Sequence, residues 1–460
     1  MLASFAAGCD SASGAASTAL GAIVSARAAD AAPTLAEQVH AGAPRKAPPR
    51  AEGLTPIARA GKDIFFDKSL SASKAMSCAT CHDPDHAYGP PNDRAVQLGG
   101  NKGTSPGLRA VPSIRYKEFT PGYADLLDNP DGVANPAPGG GFAWDGRADS
   151  LAEQAAMPLL SPFEMANASG TEVVAALRKS PSAATFVEAF GARVFDDVDA
   201  AFRDVALALQ SFQLEDPSFH PYTSKFDLRA QNKPEGAFTP AEERGFAVFV
   251  DTKKGNCTGC HFHGPGNNDG SSGMFTDYSY EAIGVPRNAE IPANRDPKYT
   301  DMGICGPLRK NRVEKGVRQN PFCGTFKTPT LRNVATRHVF FHNGVMHSLE
   351  QAVRFYVTRD TRPELWYPTV GGKPVAHPDP AFPRYGLVTT QYTGGTVHKY
   401  DDLPAAYRAN IDTQMPLDGR APGSEAPLTE REVADLVCFL ETLTDDYKPA
   451  PPDSSGRCVP

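Results

Sequence analysis

The sequence predicts a mainly α-helical fold of two domains, with long irregular loops between the helices. Apolar residues recur at helical spacing in a series of segments, whereas no run of residues shows the alternation typical of strands. A unit made of an amphipathic stretch followed by two cysteines and a histidine occurs once in each half of the chain. At 460 residues the chain is long enough to form two separate cores.

Periodicity and helix-start signals indicate where the helices lie. Residues 57–66 precede the first cysteine pair and residues 239–249 precede the second. The latter segment has Thr239 as its N-cap, Pro240 at the first helical position and acidic residues in the first turn. Further periodic segments are 150–156, 170–179, 198–212, 349–357 and 429–443. Pro- and Gly-rich loops are expected at 122–141 and 264–273.

Two five-residue motifs carry the most specific chemistry. They are Cys78-Ala79-Thr80-Cys81-His82 and Cys257-Thr258-Gly259-Cys260-His261. Two thiols one helical turn apart can add across the two vinyl groups of one haem, and the adjacent histidine then presents its ring to the iron. A redox CxxC pair or half of a zinc site is the alternative, but neither requires a histidine directly after each pair. The sequence therefore predicts two cytochrome c-like domains, each with one covalent haem c, and His82 and His261 as proximal iron ligands.

Composition and cysteine usage limit the remaining functions. The formal net charge of -7 argues against a nucleic-acid partner, which requires a basic face. No apolar run reaches the roughly 18 residues needed to span a bilayer. Covalent haem attachment predicts a periplasmic location, where other cysteines can oxidise. The natural disulfides are Cys305–Cys323 and Cys438–Cys458, although four cysteines allow three pairings.

The chain divides into five segments by composition and motif position. Residues 1–50 are rich in Ala, Ser, Gly and Pro and are expected to be a signal or low-complexity segment. Signal-peptidase cleavage near Ala28 and lipidation of Cys9 are the two alternatives for its processing. The segments that follow are an N-terminal haem domain at 51–215, a linker at 216–235, a C-terminal haem domain at 236–447 and a tail at 448–460.

With these motifs in position, the chain resembles the bacterial diheme cytochrome c peroxidase and MauG superfamily over about residues 50–447. Besides the first haem motif, the resemblance is carried by Trp144-Asp145-Gly146-Arg147 and by segments 158–165, 326–334 and 341–344. It implies an H2O2-dependent oxidoreductase. The N-terminal haem would be high-spin, with His82 as its only protein ligand, and the C-terminal haem would be low-spin.

The resemblance also assigns catalytic roles. Glu164 and Gln154 would stand over the open face of the first haem, where a carboxylate can move a proton between the two oxygens of peroxide. Pro158 would help to shape that pocket. Trp144 would lie between the haems as an electron relay. Taken alone, Trp144 could equally be a packed core aromatic, and Glu164 a surface carboxylate at a helix start.

The sixth ligand of the second haem separates the branches of the superfamily. The peroxidases use a methionine, MauG-like enzymes use a tyrosine, and alignment with them assigns this position to Tyr356. If Tyr356 is merely packed on its helix, Met346 or Met274 is the alternative ligand. A phenolate oxygen stabilises high-valent iron, so Tyr356 implies that the two haems share the oxidising equivalents as a bis-ferryl pair. Residues 354–403 are similar to the branch containing MbnH, which oxidises a tryptophan of a partner protein.

Three functions are consistent with these features. The first is peroxide-driven oxidation of a Trp or Tyr side chain on a partner protein. The second is reduction of H2O2 to water with electrons from a small cytochrome c or cupredoxin, and the third is a non-enzymatic diheme electron carrier. Tyr356 favours the first, as does the lack of a blocking histidine between His86 and Glu164. Gln154 together with Glu164 disfavours the third.

Two further properties are implied by the family alone. A calcium ion is expected between the haems, but the asparagine that supplies a side-chain ligand corresponds here to Ala110. Calcium is therefore either absent or held by carbonyl groups and water. The oligomeric state is expected to be a monomer or a homodimer.

Overall fold

A computed structural model describes residues 53–127, 137–263, 273–310, 322–376 and 384–446. The expected processing sites at Cys9 and Ala28 lie outside these residues. The predicted Cys305–Cys323 disulfide is present. Cys438 is also disulfide-bonded, and its predicted partner Cys458 lies outside the described residues. Within the described ranges, none of the helices has the length and apolar character needed to cross a membrane.

The first half of the chain folds around its own hydrophobic core, in which Phe65, Phe186 and Phe212 are almost fully buried. The helices of this half are α1 (Pro56–Phe66), α2 (Cys78–Cys81), α3 (Leu151–Leu160), α4 (Gly170–Leu177), α5 (Ala183–Phe190) and α6 (Val198–Glu215). Two antiparallel strand pairs join them, β1 (Leu98–Gly99) with β2 (Ser105–Pro106) and β3 (Ala124–Leu127) with β4 (Ala137–Gly139).

The second half has a separate core that includes Phe249, Phe355 and Phe439. Its helices are α7 (Lys225–Ala230), α8 (Pro240–Val250), α9 (Leu349–Thr358) and α10 (Glu430–Glu441). Its strands are β5 (Tyr280–Glu281), β6 (Phe326–Lys327), β7 (Thr369–Val370), β8 (Lys373–Val375), β9 (Gln391–Thr393) and β10 (Thr396–Val397). They form three antiparallel pairs, β5 with β6, β7 with β10, and β8 with β9.

In each half, the helix that leads toward the CxxCH motif crosses a later helix at a glycine. A Cβ atom on Gly61 of α1 would lie 1.9 Å from the carbonyl oxygen of Ala208 in α6. A Cβ atom on Gly245 of α8 would lie 1.9 Å from the carbonyl oxygen of Asp435 in α10. Because only glycine permits such close backbone approach, these crossings hold the two leading helices firmly against their cores.

A buried network of ions joins the two halves. Arg109 donates two hydrogen bonds to the Asp301 carboxylate, at 2.6 Å from Nε and 2.7 Å from Nη2. Its Nη1 lies 2.8 Å from Oδ2 of Asp145, a side chain with no exposure to solvent. Burial would raise the pKa of Asp301, but the Arg109 guanidinium outweighs burial and the pKa is lowered. Since Asp145 follows Trp144, the network also fixes the segment that carries this tryptophan.

The prediction of a mainly helical protein is confirmed, and the helix boundaries agree with the expected ones to within a few residues. The structure adds α5 and α7 to the predicted helices. Helix α7 lies in the stretch that the sequence predicts to be a linker, and its six residues are too few to show a period. The predicted loop at 122–141 contains the strand pair of β3 and β4.

Candidate active site

The first CxxCH motif opens onto a cavity in the first half of the chain. Helix α2 carries Cys78 and Cys81 one turn apart, and His82 is its C-cap. The ring nitrogen Nδ1 of His82 lies 3.0 Å from the carbonyl oxygen of Tyr88. This contact selects the tautomer with a proton on Nδ1 and leaves Nε2 free to bind a metal. Burial lowers the pKa of His82 to about 4, so the ring is neutral, as a metal ligand must be.

Three of the expected catalytic residues line this same cavity. Gln154 and Pro158 are four residues apart on α3 and therefore share a face of the helix. Glu164 follows in the turn after α3, where its backbone N–H donates to the carbonyl oxygen of Ser161 at 3.0 Å. The structure therefore brings Gln154, Pro158 and Glu164 to one cavity with His82.

The Glu164 carboxyl is tuned by its surroundings. Its side chain is exposed where it borders the cavity, and desolvation by the protein around it raises its pKa. A hydrogen bond from Ser161 and the charge of Arg147 oppose the rise without cancelling it. A carboxyl whose pKa is raised toward neutrality is better suited to give and take protons than an ordinary surface glutamate.

The second CxxCH motif opens onto a cavity in the second half of the chain. His261 Nδ1 lies 3.1 Å from the carbonyl oxygen of Phe275, which again leaves Nε2 free, and burial lowers the pKa of His261 to about 4. Tyr356 of α9 lines the same cavity. The alternative ligands Met346 and Met274 are buried elsewhere and do not belong to the cavity wall.

One methionine that the sequence analysis does not single out also lines the second cavity. Met415 lies in a loop, where its carbonyl oxygen accepts a hydrogen bond from Asn256 Nδ2 at 3.3 Å. Its sulfur is 3.9 Å from Nη2 of Arg420. No periodicity or motif marks this position, so only the folded chain reveals its proximity to His261.

Trp144 belongs to the walls of both cavities. Its carbonyl oxygen accepts a hydrogen bond at 2.9 Å from the backbone N–H of Lys327, in the second half of the chain. The described residues common to both walls are Pro112, Lys117, Trp144, Lys327 and Pro329. Trp144 therefore borders both cavities.

At the position expected for a calcium ligand, the backbone carbonyl group makes a hydrogen bond within the protein. The carbonyl oxygen of Ala110 accepts the indole N–H of Trp144. Across the described ranges of the chain, no group of three or more His, Cys, Asp or Glu side chains is arranged to hold a metal ion. Calcium held by carbonyl groups and water remains a prediction.

His86, the first histidine after the first motif, lies beside an aspartate and not in the wall of the first cavity. His86 Nδ1 lies 3.3 Å from Oδ2 of Asp83, and its ring is 6.0 Å from that of His338. His86 is not part of the first cavity wall.

The chemistry of the donor set fits one haem at each cavity. Each wall offers two thiols and a neutral imidazole with Nε2 free. Burial raises the pKa of Cys78, Cys81 and Cys257 to about 12, so these thiols are neutral until they react. Most of the other lining residues are apolar, as a porphyrin face requires.

Comparison with known proteins shows which family this chain resembles. Residues 56–235 match the family model described as di-haem cytochrome c peroxidase. The chain is 35% identical over 419 residues to the methylamine utilization protein MauG of Paracoccus denitrificans, covering 89% of this chain and 93% of that protein. It is 29% identical over 299 residues to cytochrome c551 peroxidase of Nitrosomonas europaea, covering 65% and 71%.

Solved structures agree with the sequence matches. The crystal structure of the diheme peroxidase BthA from Burkholderia thailandensis superposes with a TM-score of 0.70 at 35% identity, covering 89% of this chain and 91% of that one. Fold and relatives together define the chain as a diheme peroxidase-type oxidoreductase. It belongs to the di-haem cytochrome c peroxidase and MauG family.

Proposed function

We propose that this protein uses H2O2 to oxidise a Trp or Tyr side chain of a partner protein in the periplasm. The observation that supports the proposal most is that Tyr356 and His261 line one cavity. An oxygen ligand from Tyr356 would favour the oxidised states of a second redox centre, whereas a thioether would favour the reduced state. Similarity to MauG over most of both chains supports the same branch.

The reaction balances as a two-electron oxidation. The O–O bond of one H2O2 breaks, two protons and two electrons are consumed, and two waters form. Both electrons come from the aromatic side chain of the partner. When bound, the two haems supply the redox centres that peroxide oxidises and that the partner reduces again.

Residues of this chain move the protons and electrons. His82 would hold the first haem, and the residues across the cavity from it would bind peroxide. Glu164 would take a proton from one oxygen of peroxide and return it to the other oxygen, which leaves as water. Gln154 and Pro158 restrict the space around that oxygen. Trp144 passes electrons between the cavities, because indole is the most easily oxidised side chain in their shared wall.

We also propose that each core carries one haem c. Cys78 and Cys81 would form the thioether links of the first, within residues 51–215, and Cys257 and Cys260 those of the second, within residues 236–447. Each link forms when a thiol S–H adds across a vinyl group. The disulfide at Cys305 supports export to an oxidising compartment.

A second candidate function rests on a different observation. Met415 in the second cavity wall offers the thioether expected of a peroxidase that draws electrons from a small cytochrome c or cupredoxin. The similarity to cytochrome c551 peroxidase supports it.

Spectroscopy of the purified holoprotein distinguishes the two candidate functions. We expect one high-spin and one low-spin ferric haem at rest, and a near-infrared band after H2O2 that reports charge shared between the two irons. Tyr356→Met should abolish this band, and the control Met415→Leu should keep it.

The opposite results identify the alternatives. Loss of the band in Met415→Leu but not in Tyr356→Met would assign the thioether ligand and overturn the proposal. Two low-spin haems that react only after half-reduction would favour the peroxidase. Two low-spin haems that ignore H2O2 would favour an electron carrier.

A further inference from the structure

Two lysines lie in the wall shared by the two cavities. Lys327 of β6 donates from Nζ to the carbonyl oxygen of Gly141, and the ammonium is 5.7 Å from the centre of the Phe142 ring. Lys117 lies in the chain between β2 and β3. Both lysines are half-buried and line the two cavities. Desolvation lowers the pKa of Lys327 to about 7 and that of Lys117 to about 8.

A third cation adds to this concentration of positive charge. Arg337 lines the second cavity, and burial lowers its pKa to about 10. Its Nε donates to the carbonyl oxygen of Val339 at 3.2 Å rather than to an acid. Lys327 is destabilised in its charged form by Lys117, and Lys117 by Arg337. Burial therefore disfavours the charged forms of these groups, and a nearby anion would restore them.

The carboxylates near these cations are occupied by other partners. Asp145 lies between Arg109 and Arg147, and Glu118 accepts a hydrogen bond from the Tyr222 hydroxyl at 2.8 Å. Asp301 is held by Arg109. Among the described residues, neither lysine has an ion-pair partner. Glu118 and Asp145 offset part of the charge of Lys117 and Lys327, and the cavities that both lysines line offer space for a further anion.

We propose that Lys117 and Lys327 bind propionate carboxylates of the two haems where the cavities meet. The inference rests on the two-haem part of the proposed function and names which residues of this chain hold the acidic edges of the cofactors. An ammonium–carboxylate pair is strong in a site with little water, and it would relieve the repulsion between the lysines. Since both lysines belong to both walls, the charge of each acts on both redox centres. They are positioning residues.

Spectroelectrochemical titration of the holoprotein without peroxide tests the charge. We expect Lys117→Met and Lys327→Met each to move the midpoint potentials of both haems to more negative values, because losing a fixed positive charge disfavours adding an electron. Lys117→Arg and Lys327→Arg should keep the potentials close to wild type. The exposed Lys298 provides the control Lys298→Met, which should change neither potential. Potentials in the Lys117→Met and Lys327→Met variants that match this control would overturn the proposal.

If the methionine variants fail to load haem, a second measurement on other variants still tests the proposal. Redox-difference infrared spectra are recorded on wild type and on the two arginine variants, with ¹³C at the propionate carboxyl carbons. We expect label-sensitive carboxylate bands that differ between wild type and each arginine variant. Identical bands would overturn the proposal. Neither measurement uses H2O2, so failure here is distinct from failure of the proposed function, which appears as a missing near-infrared band in wild type.

Discussion

The indole N–H of Trp144 donates a hydrogen bond to the carbonyl oxygen of Ala110 at 2.8 Å. The backbone N–H of Ala110 in turn donates to the carbonyl oxygen of His342 at 2.7 Å. The tryptophan that lines both cavities is thus tied through one residue to the second half of the chain. Its ring is held by a hydrogen bond as well as by packing, which restricts its position between the cavities.

Replacing this ring tests its role as a relay. Trp144→Phe keeps an aromatic ring but removes the N–H and the easily oxidised indole. We expect electron exchange between the haems to slow about tenfold or more, a barrier increase of about 1.4 kcal/mol, with each haem's resting spectrum unchanged. The near-infrared band after H2O2 measures this. Trp366→Phe is the control, since Trp366 is buried in the second core and lines neither cavity. Equal bands in both variants would contradict the relay.

The Glu164 carboxyl is expected to control the reaction with peroxide. Glu164→Gln cannot move a proton, so the rate of the first reaction with H2O2 should fall by about 10² to 10⁴. Stopped-flow absorbance measures this rate. Glu188→Gln, at an exposed glutamate paired with Arg59, should react like wild type.

Glu164 should also make the rate of reaction with H2O2 depend on pH. The carboxylate form must be present at the start of the reaction, and desolvation raises the pKa of Glu164. The rate should therefore fall as pH decreases through this raised pKa, at a higher pH than an ordinary glutamate would give. Glu164→Gln should show no such fall. A wild-type rate that stays constant down to the usual pKa of glutamate would contradict the assignment.

The ion network around Arg109 should contribute strongly to stability. Arg109→Leu leaves Asp301 buried without its main partner and leaves Asp145 with Arg147 as its remaining side-chain cation. We expect the free energy of unfolding to fall by about 3–5 kcal/mol. Urea denaturation measures the change. Arg193→Leu removes an exposed ion pair with Asp196 and should cost less than about 1 kcal/mol. Similar losses in the two variants would show that the buried network contributes no more to stability than an exposed ion pair.

The glycine crossings predict a second stability effect. Gly245→Ala forces the α8 and α10 backbones apart, because the new methyl group would meet the carbonyl oxygen of Asp435. We expect a loss of about 1–3 kcal/mol in the free energy of unfolding, measured by urea denaturation. Ala247→Ser, at an exposed position of the same helix, is the control and should change it by less than about 0.5 kcal/mol. A tolerated Gly245→Ala would mean that the crossing has room to adjust.

Local sequence patterns were sufficient for most of the helices, α5 and α7 excepted, and for the residues of each cavity that belong to motifs. The CxxCH motifs dictate their own geometry, because two thiols and a histidine on one turn can face only one space. Helix α3 likewise puts Gln154 and Pro158 on one face through its period alone. These features depend on residues close together in the chain.

Features that depend on distant residues could not be predicted. Arg109 and Asp301 are 192 positions apart, and nothing in either segment indicates their pairing. Lys117 and Lys327 are single lysines in irregular or very short elements, where a solvated side chain is the usual expectation. Their burial follows only from the way the two halves close around the cavities.

The salt bridge between Arg109 and Asp301 has a consequence for how such a protein can be divided. Its two charges are contributed by different halves, so cutting the chain between them would leave Asp301 at a newly wetted face without its cation, while Arg109 would keep only Asp145. Two single-haem cytochromes made by excision would therefore not equal the parent. The two halves should therefore be produced and altered together, as one chain.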